Sequence, residues 1–354
     1  MKKVLEFKFP FYRFAGLDLC NCYASVYLFL QGTVAENADY YCQAMEGKGC
    51  NECWACADSL QEKAERLHHL FSMIFDGFWT TQRSSWSGEQ TKIQKELAKK
   101  QNNFEFLAGF TGYSCKKITE GFKENIIASI DMGKPVIAKV KGETTFRVII
   151  GYDGDTLVDP DYRPAENPPN NSMTYNEIEY IYVLCEKTPQ KYTFLDVLKT
   201  MEKVMASDAA EGVWGEIAHN MNPDKVLNLP FADIKKRFER FRQIMDMIPN
   251  RGHNMRLPFG DKVLLEKLGF DADQHQGLIG VIMGQGHLLH ERGYMLTAIS
   301  TAIIDLPLND ADDFPWDKHG LVTAAYQILQ LVIDCDAKIL QAIKETITHY
   351  PTRT

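Results

Sequence analysis

The chain reads as an α+β domain followed by an all-α one, and three features carry that reading. YASVYLFL, directly after Cys22, has no polar face and fits a helix buried on every side. From Lys134 to Cys185 the spacing changes, with β-branched and aromatic residues crowded into KPVIAKV, TTFRVIIGYDGDTLVDPD and IEYIYVLC. After KTPQ (187–190) these runs stop, and every later apolar stretch has helical periodicity. The domains are therefore expected at 1–188 and 189–354.

The elements follow in order. LCNCYASVYLFLQG (19–32) is a helix opening at Cys20 and ending near Gly32. LQEKAERLHHLFSMIF (60–75) has apolar residues at helical spacing over a helix-forming polar face, and a polar, loop-like stretch follows at 80–103. FKENIIASIDMG (122–133) is a helix closed by Gly133, a residue suited to the left-handed position past a helix end. Asp153-Gly154 marks a hairpin between VIIGY and DTLV, since that pair tolerates the positive φ of a tight turn. RPAENPPNNS (163–172) and NRGHNMR (250–256) read as loops.

Composition narrows the function. Of 354 residues, 45% are hydrophobic and 24% charged, as in an ordinary globular protein. A net charge of −8 argues against a nucleic-acid partner, which needs a basic surface. No apolar run is long enough for a membrane helix, and Glu6, Lys8, Pro10 and Arg13 interrupt any secretory leader. Nine cysteines, an odd number, then read as cytoplasmic thiols or metal ligands rather than a disulfide framework. GQG at 284–286 lacks a preceding strand, so no nucleotide cofactor is expected.

Cys20 is the first candidate for chemistry. A cysteine at a helix N-terminus sits among unpaired backbone N–H groups at the positive end of the helix dipole, and both favour thiolate. CNCYASVYLFLQG, with KPVIAKVKGETTFRVIIGYDGDTLVDPD far downstream, resembles the papain-like cysteine peptidase and acyltransferase superfamily. Within it, the chain resembles the bacteriocin-processing peptidases and the butirosin-pathway acyltransferase type, which also carries a helical C-terminal part. The resemblance covers about the first half of the chain. It implies a helix bearing Cys20 packed on an antiparallel sheet, with GYDGDTLVDP (151–160) supplying the orienting carboxylate, Asp159.

The family histidine is missing. It would stand six residues before Gly151, where this chain has Thr145, and no histidine occurs between His69 and His219. No glutamine shortly precedes Cys20 to match the usual oxyanion side chain. Arg147, two residues beyond Thr145, shares its face of the strand and is expected either to bind a ligand near Cys20 or to pair with an acid such as Asp159. A guanidinium takes no proton at neutral pH and cannot replace histidine as the base. Cys22 reads as a small core residue. His253 is a distant candidate for the Cys20 cleft, and His287, His290 and Glu291 fit a helix surface better than a zinc signature.

A second chemistry lies in YYCQAMEGKGCNECWAC, an insertion at 42–56. Cys42, Cys50, Cys53 and Cys56 follow the spacing C-x7-C-x2-C-x2-C. Four thiolates suit tetrahedral zinc, and the closely spaced run suits an iron–sulfur cluster as well. Two expectations follow. One is a papain-like thiol protein with weakened or absent peptidase activity, acting on a peptide or an acyl- or amide-type ligand through Cys20. The other is a non-catalytic metal module used for structure or redox sensing.

Overall fold

The computed structural model describes residues 2–6, 19–31, 67–68, 70–71, 86–87, 103–143, 146–160, 173–246, 248, 252, 256, 258–306 and 318–350. The chain divides into two compact units, Met1–Phe71 with Asn103–Lys191, and Ser72–Asn102 with Tyr192–Thr354. The first unit ends at Lys191 and the second resumes at Tyr192. Ser72–Asn102, expected within the first domain, groups with the helical unit instead. One tie is visible: Arg240 Nε donates to the Trp86 carbonyl at 2.9 Å.

The first unit is α+β. Its main sheet is antiparallel with strand order β2-β8-β3-β4, formed by Tyr113–Ile118, Ile178–Lys187, Val136–Val140 and Phe146–Ile149. The expected strands at 136–140, 146–150 and 178–185 thus share one sheet. Helix α1 (Leu19–Leu30) packs on β3 and β4, and every residue from Leu19 to Leu28 except Asn21 is buried. That is why the sequence gives α1 no polar face. Aromatic side chains fill the space between. The Tyr23 ring meets Phe71 and Phe104 edge-on at 5.2 and 5.3 Å. Phe104, on α2 (Asn103–Thr111), stacks on Tyr182 of β8 at 4.2 Å. The one polar atom of Tyr23 is satisfied as well. Thr111 donates its hydroxyl to the Leu107 carbonyl at 2.9 Å and so accepts from Tyr23 at 2.5 Å. Burial pushes that phenol well above its ordinary range.

Helix α3 (Phe122–Asp131) covers the opposite face of the sheet. It ends as expected: Gly133 has φ 77°, and its N–H donates to the Ile130 carbonyl at 2.9 Å. Fully buried Ile126 and Ile130 pack here on Val136, Ala138 and Ile181. Each such side chain contributes roughly 1.5–3 kcal/mol by leaving water.

The run FRVIIGYDGDTLV crosses between two sheets. After β4 the chain enters a second antiparallel sheet, order β1-β5-β6-β7, formed by Lys2–Val4, Gly151–Asp153, Thr156–Val158 and Met173–Thr174. Its hairpin turns one residue later than expected, because Asp153 pairs with Thr156 and leaves Gly154-Asp155 as the connection, Gly154 at φ 62°. Gly151 is required by a close approach. A Cβ there would lie 2.5 Å from the Lys3 carbonyl oxygen, so only glycine lets β1 pair with β5.

The second unit is all-helical among its described residues. Its helices are α4 (Phe194–Ala210), α5 (Val213–Met221), α6 (Pro223–Val226), α7 (Phe231–Met245), α8 (Lys262–Lys267), α9 (Gln276–Ile304) and α10 (Lys318–His349). Thr193 and Asp196 form a capping box at the start of α4. On α7, Phe231, Ile234, Phe238, Phe241 and Met245 are buried at helical spacing, while Lys236, Glu239 and Gln243 face water. The stretch 250–256, expected as a loop, is helical at its described residues Gly252 and Arg256. No helix among the described residues is long and apolar enough to cross a membrane.

Candidate functional site

Cys20 lies in the first turn of α1, as its position before the apolar run requires, and is only 2% exposed. Reactive thiols ordinarily sit in partly exposed, electropositive surroundings. Cys22 is fully buried, as expected of a core residue. Cys20, Cys22, Cys115, Cys185 and Cys335 are in no disulfide.

Arg147 is held in a fixed ion-pair network. Its Nη2 and Nε reach the two carboxylate oxygens of Glu143 at 2.8 and 3.3 Å, a forked arrangement, and Nη1 donates to Asp159 Oδ2 at 3.1 Å. The Arg147 and Asp159 side chains are 14% and 5% exposed. Burial by itself would lower the guanidinium's pKa, but the hydrogen bonds and charges of Glu143 and Asp159 outweigh it and hold it above its ordinary value. Of the two sequence expectations for Arg147, pairing with Asp159 is the one the geometry carries. Glu143, on the turn between β3 and β4, is a partner that sequence reasoning missed. Its signal was present, since a hairpin returning after Lys141-Gly142 brings an acid at 143 back toward β4.

Strand register decides which face of the main sheet holds this network. Ala138 pairs with both Arg147 and Ile181, and Ala138 and Ile181 belong to the core under α3. Tyr182 and Val148 alternate with them and pair with Ile137 on the other face, where Tyr182 meets Phe104 and, through it, Tyr23 of α1. Arg147 therefore lies on the α3 face, whereas Cys20 belongs to the helix covering the opposite face. The structure joins Asp159 to Arg147 and Glu143. It sets the element carrying Cys20 across the sheet from them.

Chemically, the network is a structural clamp. Arg147 offers donors and no acceptor, so it cannot take a proton from a thiol, and it occupies the Asp159 carboxylate. Thr145, His253 and the four cysteines Cys42, Cys50, Cys53 and Cys56 lie outside the described residues. Among the described residues, no group of three or more His, Cys, Asp or Glu side chains could hold a metal ion. His287 stands 2.7 Å from Arg256 Nη1, and His290 lies 3.3 Å from Glu291 Oε1, so these histidines serve α9 and its neighbour. Comparison of the chain with protein-family models, with curated proteins and with solved structures finds no match.

Proposed function

We propose that the first unit is a papain-like thiol domain that binds a peptide or an acyl- or amide-type ligand on the Cys20 side of its sheet and carries out no peptidase chemistry. The observation that supports this reading is the bond from Arg147 Nη1 to Asp159 Oδ2 at 3.1 Å. A carboxylate that serves catalysis holds an imidazole; this one holds a permanent cation. Without a base, acyl transfer loses a contribution of roughly 10²–10⁴-fold. The α1 helix keeps its place because burying it builds the core, whether or not the thiol reacts.

Fluorogenic peptide and thioester substrates test the chemistry. Wild type and Cys20→Ala are expected to be equally inactive, with melting curves that differ by about 1 kcal/mol or less. Robust hydrolysis that Cys20→Ala abolishes would overturn the reading. Binding is tested by thermal shift with an N-acyl dipeptide amide, which should raise the melting temperature as its concentration rises.

The spacing of Cys42, Cys50, Cys53 and Cys56 supports a further property of the same chain, a bound soft metal. Protein purified without oxygen should contain about one zinc ion or one iron–sulfur cluster per chain, lost in Cys53→Ser. Elemental analysis and visible absorption distinguish the two, and metal-free protein of full stability would end the idea.

A further inference from the structure

The exposed face of α9 is built unlike that of α7. On α7 the exposed positions include Lys236, Glu239 and Gln243, as a helix facing water requires. α9 is 29 residues long, and apart from Gln276 and His287 its exposed positions hold glycine, alanine, Leu288, Tyr294, Met295 and one charge, Glu291. Tyr294 and Met295 are 56% and 52% exposed. Leu331, 44% exposed, is on the neighbouring helix α10, and Arg292 of α9 donates to its carbonyl. Nothing within 4 Å of a Cβ at Gly277 or Gly284 demands a glycine there. An interior helical glycine lowers helix stability by roughly 1 kcal/mol relative to alanine, so the face is unfavourable in an isolated copy.

We propose that this face is where two copies of the chain associate, α9 lying antiparallel to α9 of the second copy about a twofold axis. The face can complement itself. An axis crossing the helix between Leu289 and His290 sets Gly284 against the second copy's Met295, Gly277 against its Ala302, and Leu288 against its Glu291. Met295, 52% exposed, meets a gap left by a glycine, twice by symmetry. Charge agrees with this register. Glu291, the one exposed acid of α9, arrives at the second copy's centre, where Arg256 Nη1 stands 2.7 Å from His287 Nδ1. Each copy thus presents both an acid and a cation at the axis, which a twofold interface needs and an unrelated partner would not require.

Sedimentation velocity of the full chain over a concentration series tests the proposal. The expected result is a monomer–dimer equilibrium that Gly284→Glu and Met295→Glu each weaken by about tenfold or more. A Cβ at Gly284 meets no atom, so the Gly284→Glu monomer should keep its circular dichroism and, at concentrations where wild type is also monomeric, melt no earlier than wild type. Glu291→Lys should weaken the dimer, and Arg256→Glu combined with Glu291→Lys should restore it. A chain that stays monomeric at every concentration, or a dimer that neither Gly284→Glu nor Met295→Glu moves, overturns the proposal. Failure of the charge swap to restore a dimer that Glu291→Lys weakened overturns this twofold register.

Discussion

Replacing Gly252 by alanine is expected to destabilise the helical unit by about 2–4 kcal/mol. The added methyl would stand 2.3 Å from the Gly286 carbonyl oxygen and 2.8 Å from the His290 backbone nitrogen. Both are main-chain atoms of α9, so relief requires the two segments to move apart rather than one side chain to rotate. Moving them apart would disturb buried Ile248 and Phe259 and stretch the Arg256–His287 bond. Urea denaturation should show a lower midpoint with an unchanged slope. Gly215→Ala is the control, because Gly215 lies inside α5 with nothing within 4 Å of a Cβ. It should gain roughly 0.5–1 kcal/mol. Equal behaviour of the two variants would show that the close approach at Gly252 is not tight.

The same contact marks a limit of reading this chain from its letters. NRGHNMR is polar and carries a glycine, so local chemistry argues for a loop. Its helical residues follow from tertiary packing, glycine against glycine, which no local propensity encodes. Other features were legible because their causes are local. Gly133 closes α3 for the reason the sequence suggests, and YASVYLFL announces a helix with no wet side. β2 and α2 went unread: NFEFLAGFTGYSCKKI offers too few residues of either period to declare a helix and then a strand. The switch of FRVIIGYD from one sheet to another was equally hidden, because β4 and β5 read as one continuous strand.

The site divides along the same line. The sequence put an arginine and an aspartate within reach of each other, and strand alternation placed Arg147 on one face of β4. Alternation alone does not say which face belongs to α1. That needed the register with β3 and β8 and the aromatic contacts of Tyr182, all of long range.

The second large effect belongs to Arg147. Arg147→Met should destabilise the first unit by about 2–4 kcal/mol, because it removes the guanidinium from a carboxylate whose side chain is only 5% exposed. Glu143 contributes less to that loss, since its side chain is 32% exposed and water can replace the lost bonds. Arg147→Lys should fall between, as an ammonium cannot make the forked contact to Glu143 and the bond to Asp159 together. Arg147→Met with Asp159→Leu should recover part of the stability, because no buried charge is then left behind, and a coupling of about 1 kcal/mol or more is expected. The sign with pH follows from the raised guanidinium pKa. Such a group contributes at every pH below its unfolded value and loses the contribution only as pH climbs through the folded one. Arg147→Met should therefore show the same deficit at about pH 6 and about pH 9, where carboxylates are ionised and arginine is charged. A deficit that vanishes over that range, or single and double variants that simply add, would mean that the pair does not hold Asp159 in place. Asp159 could then turn to another partner, and the case against a catalytic role for the carboxylate would fall with it.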